Sequence, residues 1–231
     1  MDLKAVILDV DGTLIDSNDA HAQAWVDVGM EFGYDITFDR VRSLIGMGGD
    51  HVLPELTGLE EESEQGKRIL DRRGKIFRSQ YLPALAPFPY VRELLERIRG
   101  DGYRMVVATS ASEDDLHALL EQAGVADLLD DATSSGDAEN SKPAPDIIEA
   151  ALARTGFSAE EAVMIGDTPY DVKAAHRAGV QTIALRCGGW DDSKLEGALQ
   201  IFDAPAELYL RYSDSVLGEV GQRLYWPALP T

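Results

Sequence analysis

Four short apolar runs, each stopped by polar or turn-forming residues, constrain what this chain can fold into more than any other feature. Ala5 to Val10, interrupted only by Asp9, is the first; Met105-Val106-Val107-Ala108, Ala162-Val163-Met164-Ile165 and Thr182-Ile183-Ala184-Leu185 follow. Runs this short, partly β-branched and without alternation, have the pattern of parallel strands buried on both faces. Between them the period changes. Val91, Leu94, Leu95 and Ile98 recur at helical spacing, as do Leu116, Leu119, Leu120 and Ala123, and Ile147, Ile148, Ala151 and Leu152. Ser112 stands as an N-cap, with Glu113, Asp114 and Asp115 placed to complement the helix dipole in the first turn. Strands alternating with amphipathic helices imply right-handed βαβ crossovers and a sheet covered on both faces. The expected fold class is α/β, with a doubly wound parallel sheet as its core.

The stretch from Ser17 to Leu85 breaks this rhythm. It has helical patterns such as Ala22, Trp25, Gly29 and Phe32, dense charge from Glu60 to Arg78, and no run that suits a buried strand. A small all-helical insertion after the first strand is the economical reading. Its hinges fall near Asp16-Ser17 and in the proline-rich Leu82 to Pro89 segment. The expected division is a core of residues 1–16 and 86–231 and a helical cap of residues 17–85. The piece from Pro205 to Thr231 carries helical signals at Leu208, Arg211, Tyr212 and Val216. It ends in Tyr225-Trp226-Pro227, aromatics expected to pack on the core or a partner subunit.

Charge narrows the function. Against 21 Lys and Arg stand 41 Asp and Glu, a formal net charge of −20 in 231 residues. Such a surface repels nucleic-acid phosphates and anionic membranes, so neither is an expected partner. The single cysteine, Cys187, leaves no internal disulfide framework and reads as a small apolar residue at a strand end. No uncharged apolar stretch reaches the roughly 18 residues that span a bilayer. Met1-Asp2-Leu3-Lys4 followed by Ala5 to Leu8 is too short an apolar run for a signal peptide, so the expected location is cytoplasmic. An anionic substrate then needs a local device that overrides the global charge.

Open α/β sheets place ligands beyond the carboxyl ends of their strands, and polar chemistry follows the runs there. Asp9 and Asp11 end the first, two residues apart and so on one side of an extended chain. Two ionised carboxylates this close require a cation between them or a proton on one. Thr109 and Ser110 follow the second run as hydroxyl donors at a helix start. Ser141-Lys142-Pro143 brings a lysine to the Ile147 helix, and Gly166-Asp167-Thr168-Pro169-Tyr170-Asp171 adds two carboxylates after the Ile165 run. Singly, these features also fit an Asx turn, caps and a solvated lysine. Together, in order, they supply an anion-binding ammonium, hydroxyl donors and a hard-cation site.

These four segments resemble the four motifs of the haloacid dehalogenase superfamily, from residue 4 to about 190. The resemblance implies a Rossmann-like core with a helical cap like that of phosphoglycolate phosphatases and β-phosphoglucomutase. Asp11, which the dehalogenases lack, points to phosphoryl transfer. By the same resemblance Asp9 is the nucleophile that forms an aspartyl-phosphate, and Asp11 the general acid and base. Mg²⁺ is held by Asp9, the carbonyl of Asp11 and Asp167. Ser110, the N–H of Ala111 and Lys142 bind phosphate, with Thr109 as the alternative hydroxyl and Asp171 in support. In the cap, His21, Gly49 in the Gly46-Met47-Gly48-Gly49 loop, and Arg72 or its neighbour Arg73 are candidates to meet the leaving group. Gly49 stands where β-phosphoglucomutases carry a phosphate-binding arginine, which weighs against the mutase alternative. A non-enzymatic phospho-accepting module is the remaining one; it is typically about half this length and uncapped. The expected partner is a small phosphorylated metabolite, and the expected assembly a monomer or homodimer.

Overall fold

A computed structural model describes residues 2–218. In chain order the elements are β1 (Ala5–Leu8), α1 (Asn18–Phe32), α2 (Phe38–Arg42), α3 (Gly49–Thr57), α4 (Glu64–Ile76), α5 (Val91–Gly100), β2 (Arg104–Ala108), α6 (Glu113–Ala123), β3 (Asp131–Thr133), α7 (Asp146–Thr155), β4 (Ala162–Gly166), α8 (Pro169–Arg177), β5 (Gln181–Leu185), β6 (Gln200–Phe202) and α9 (Pro205–Leu210). A π turn (Phe77–Tyr81) and a 3₁₀ turn (Leu82–Ala84) lead from α4 toward α5. All six strands are parallel, in the order β3-β2-β1-β4-β5-β6. The chain winds from β1 to one edge and then, through β4, to the other. The switch point therefore lies between β1 and β4, where such sheets bind ligands. Register aligns Leu8 with Val107 of β2 and Ile165 of β4, so three strand ends open side by side.

The sheet is buried on both faces. Val6 and Leu8 point into the larger apolar cluster with Leu94 and Ile98 of α5, Leu116 and Leu119 of α6, and Leu208 of α9. Ala5 and Ile7 point the other way, onto Ile147, Ile148 and Ala151 of α7 and Ala174 and Ala175 of α8. At about 25 cal/mol per Å² of apolar surface, this two-sided burial is the main force holding the sheet. The four apolar runs are β1, β2, β4 and β5, and β1 stops at Leu8, before Asp9. Two strands have no such run: β3 (Asp-Ala-Thr) and β6 (Gln-Ile-Phe) are three-residue edges, each paired on one side only. Edge strands are short and half-covered, so they need no continuous apolar stretch.

Between β1 and α5 the described chain is helical, an all-helical insertion after the first strand. Ala22, Trp25 and Val28 of α1, Val52 and Leu53 of α3, and Ile69 and Ile76 of α4 bury its inner face. Tyr90, at the N-cap of α5, holds the left-handed conformation (φ 64) and stacks on Tyr209 at 5.4 Å between centroids. Leu208 and Tyr212 are buried against the core, as their helical spacing suggested. Tyr225-Trp226-Pro227 lies outside the described residues.

Candidate active site

Asp9, Ser110 and Asp167 sit where strands end, and Lys142 in the loop between β3 and α7. Asp9 follows β1, and its N–H donates to the Ile165 carbonyl of β4 at 3.0 Å, which fixes the chain at the switch point. The turn beyond it needs Gly12, whose φ is +73; a Cβ there would lie 2.1 Å from Asn18 Nδ2 and 2.2 Å from Asp167 Oδ2. The chain thus reverses tightly enough for Asp11 to line the same cavity as Asp9. Beyond β4, Asp167 is fully buried. Thr13 Oγ1 donates to its Oδ1 at 3.0 Å and Asn18 Nδ2 to its Oδ2 at 2.9 Å. Gly188 packs so closely on Asp167 that a Cβ would lie 1.9 Å from Oδ2. Asp167 is not the N-cap of α8. That role belongs to Thr168, in a capping box with Asp171.

Lys142 stands between two carboxylates. Its buried Nζ lies 2.6 Å from Asp9 Oδ1 and 2.8 Å from Asp171 Oδ1. Burial acts to lower the Lys142 pKa, but Asp171 and Asp9 outweigh it and raise it, keeping the ammonium charged. Burial, opposed by Lys142 and assisted by Asp171, pushes the Asp9 carboxyl up to about 7. Asp167 is raised well above the usual carboxylate range by burial and by Asp171 and Asp9 beside it. Ligand oxygens of Asp9, Asp167 and Asp171 lie within 4.8 Å of one another. Three buried carboxylates, of which Asp9 and Asp171 share one ammonium, are short of positive charge, and an all-oxygen set of this kind suits a hard divalent cation.

Asp11 faces the helical insertion. Its Oδ1 accepts from Ser17 Oγ at 2.5 Å and from His21 Nε2 at 2.7 Å. Burial works against its charge, but His21, Ser17 and Arg73 prevail and hold the carboxyl below its ordinary value. His21 is buried, stacked on Phe77 at 3.9 Å, and its Nδ1 meets Arg73 Nη2. A guanidinium only donates, so Nδ1 accepts and the ring proton sits on Nε2, toward Asp11. Arg73 also donates to Asp115 Oδ2 at 3.1 Å, and Arg78 to Asp115 Oδ1 at 2.5 Å.

After β2, the two candidate hydroxyls have different surroundings. Thr109 Oγ1 accepts the N–H of Ala111 at 3.1 Å, whereas the buried Ser110 Oγ has no partner and lines the cavity. An unpartnered buried hydroxyl facing a cavity is available to a ligand. The cavity, about 340 Å³, runs from Asp9 up to the insertion and includes Gly49, at the start of α3.

Asp9, Asp11, Ser110, Ala111, Thr109, His21 and Gly49 all line this cavity, and Lys142, Asp167 and Asp171 stand at its floor around Asp9. Arg72 does not belong with them. Its guanidinium forms a two-point pair with Glu31 at 2.6 and 2.7 Å on the surface, because α4 turns its neighbour Arg73 inward instead. Sequence reasoning missed Asn18 and the role of Asp115. One signal for Asp115 was present: it precedes the core position Leu119 by one helical turn, which turns a carboxylate inward.

Similarity to known proteins agrees with this geometry. The family model described as haloacid dehalogenase-like hydrolase matches residues 6–185. A probable phosphatase IndB of Dickeya dadantii is 32% identical over 202 residues, covering 84% of this chain and 85% of that protein. A phosphoglycolate phosphatase of Rhodospirillum rubrum is 29% identical over 217 residues, covering 89% of each. The crystal structure of a hydrolase from Pseudomonas syringae superposes with a TM-score of 0.85 at 27% identity, covering 92% of this chain and 99% of that one.

Proposed function

The chain belongs to the haloacid dehalogenase-like hydrolase family and is a phosphatase of it, and from that premise we propose that it hydrolyses a small phosphomonoester through an aspartyl-phosphate on Asp9, with Mg²⁺ as cofactor. The observation that carries this reading is the floor of the cavity: Asp9, Asp167 and Asp171 grouped together, with Lys142 paired to Asp9 and Asp171, beside the unpartnered hydroxyl of Ser110. Residues 17–85 form the cap in this reading and close over the ester.

Asp9 attacks phosphorus in line and displaces the alkoxide, which splits one hard hydrolysis into two easier steps. Asp11, ionised in the resting site, takes up a proton as the phosphate anion enters beside it, delivers that proton to the alkoxide and later takes one from the attacking water. His21 and Ser17 aim its carboxylate, and such acid–base help is worth about 10²- to 10⁴-fold. Lys142, held by Asp9 and Asp171, and the Ser110 hydroxyl neutralise the equatorial phosphoryl oxygens in a loose transition state. Thr109 accepts the Ala111 N–H and so shapes the loop that presents Ser110. Asp9, Asp167 and the carbonyl of Asp11 would hold the Mg²⁺, which would offset the carboxylates and polarise the phosphoryl group as a Lewis acid.

Phosphate release from p-nitrophenyl phosphate tests this directly. We expect turnover in Mg²⁺ that vanishes with EDTA and falls at least about 10³-fold in Asp9→Asn with its melting temperature retained. Undiminished turnover in that variant would remove the proposed nucleophile.

A further inference from the structure

The wall of the cavity opposite Asp9 carries two guanidinia on one carboxylate. Asp115, in the first turn of α6, is buried with both oxygens taken: Oδ1 accepts from Arg78 Nη1 at 2.5 Å and Oδ2 from Arg73 Nη1 at 3.1 Å. One arginine would balance the charge of Asp115, and the two are used differently. Arg78 is engaged through Nη1 alone. Arg73 continues inward, where its Nη2 meets Nδ1 of His21, and His21 Nε2 donates to Asp11 Oδ1 at 2.7 Å. Nη1 and Nη2 share one rigid plane, so anchoring the first on Asp115 fixes the direction of the second. The rings of Trp25 and Phe77 flank this guanidinium, with centroids 5.9 and 5.4 Å away, and Phe77 also stacks on His21. Arg73 Nε is without a partner among the described residues, so both arginines keep donors for a ligand while Nη1 and Nη2 of Arg73 hold the chain of contacts.

Resting on the phosphatase reading above, we infer that Asp115 is a positioning residue for the acid–base step: by anchoring Arg73 it fixes the His21 ring with its proton toward Asp11, and so aims the Asp11 carboxylate at the leaving oxygen. No proton travels along this chain; each member holds the next. Asp115 also keeps Arg73 off Asp11. Burial lowers the Arg73 pKa, and Asp115 first and Asp11 next oppose it, so without Asp115 the next acid to hold that charge is Asp11. A guanidinium paired directly with Asp11 would favour its ionised form and occupy the carboxylate that has to carry a proton to the alkoxide. Asp115 and Asp11 lie on the α/β core, and Arg73 and His21 on the helical insertion, so the arrangement is complete only with the two in contact.

Benzyl phosphate and p-nitrophenyl phosphate, esters of similar size, separate this role from simple support. The benzyl alkoxide needs a proton to leave and nitrophenolate does not, and kcat/KM covers only the steps through departure of the alcohol. In Mg²⁺, Asp115→Asn should lower kcat/KM for benzyl phosphate at least about tenfold more than for p-nitrophenyl phosphate. A supporting ion pair, or a contact with the leaving group, would lower both alike, so an equal fall, or none, overturns the inference. Should Asp115→Asn not fold, Arg73→Gln breaks the same chain from α4 and is held to the same ratio. Nitrogen-15 spectra of the His21 ring, assigned by its absence in His21→Gln, read the positioning without turnover. The parent should hold the Nε2-protonated tautomer and Asp115→Asn should populate the other; an unchanged ring in the folded variant is also an overturning result. A chain that releases phosphate with the ratio unchanged loses only this inference. One that releases none from either ester loses the phosphatase reading, while the tautomer still decides what Asp115 does to His21.

Discussion

The two ends of the cavity solve opposite electrostatic problems. At the floor, Asp9, Asp167 and Asp171 lie together with one ammonium between Asp9 and Asp171, and burial drives the Asp9 and Asp167 carboxyls toward their protonated forms. At the wall, Arg73, Arg78 and Asp115 satisfy one another beside a surface of Trp25, Met47 and Leu70. The floor is poised to accept a cation, which would relieve its excess of carboxylates and make room for an anionic phosphoryl group. The wall is held differently, by two guanidinia that share the single Asp115 carboxylate. The two ends are supplied by different segments, the strand ends and the helical insertion, and are linked through Asp11, His21 and Arg73.

Asp11 joins the two ends, and its removal has the largest expected effect on the comparison. Asp11→Asn should lower steady turnover about 10²- to 10⁴-fold. With p-nitrophenyl phosphate, whose leaving group departs without a proton, the first step survives, and rapid mixing should show a stoichiometric burst of nitrophenolate before the slow phase. Turnover within tenfold of the parent and no burst would detach Asp11 from the chemistry. Lys142→Met tests the floor alone. Removing one partner of a buried pair costs about 3 kcal/mol or more, so urea unfolding in EDTA should show a loss of about that size. A shift below about 1 kcal/mol would mean that Asp9 and Asp171 do not depend on the ammonium.

How far the sequence carried differs between the same two ends. Asp9 and Asp167 lie immediately after apolar runs, so strand position and residue type together reveal them, while Lys142 is marked by its place just ahead of the α7 pattern. Asn18 was hidden because its contact with Asp167 depends on where α1 starts relative to a strand far along the chain. The wall is less legible still. Helical periodicity finds α4 but does not say which of two adjacent arginines faces inward; Arg73 lines the cavity, while Arg72 pairs with Glu31 at the surface. β3 and β6 escaped for a related reason, since a half-covered edge has no need of an apolar run. Features fixed by local chemistry can be read from one sequence. Those fixed by how two distant elements meet need the fold.

Protonation offers a smaller and more specific test of the floor. Asp9 has an ordinary carboxylate value when unfolded and about 7 in the folded, metal-free protein, and Asp167 moves in the same direction. The folded state therefore binds more protons than the unfolded one between those values, so this contribution to stability is present at low pH and is lost as pH rises through about 7. In EDTA the melting temperature should lose support from these groups between pH 6 and 8, while saturating Mg²⁺ displaces the protons and flattens the difference. Parallel profiles with and without Mg²⁺ would show that the cation does not sit on these carboxylates.

The smallest expected effect is the sharpest discriminator at the wall, because it compares neighbours in sequence. Arg72 pairs with Glu31, and both side chains are more than two-fifths exposed. Pairs of that kind contribute about 0–1 kcal/mol, so Arg72→Ala should change kcat/KM less than about twofold. Arg73→Ala removes the donor to Asp115 and His21 and leaves Asp115 with Arg78 alone, which disturbs both the wall and the histidine that aims Asp11. Its kcat/KM should fall at least about tenfold, with the loss mainly in kcat if the path runs through His21 and mainly in KM if it runs through the wall. Equal losses in the two variants would mean that net charge near the entrance governs activity. The link between the two ends through His21 would then have to be abandoned.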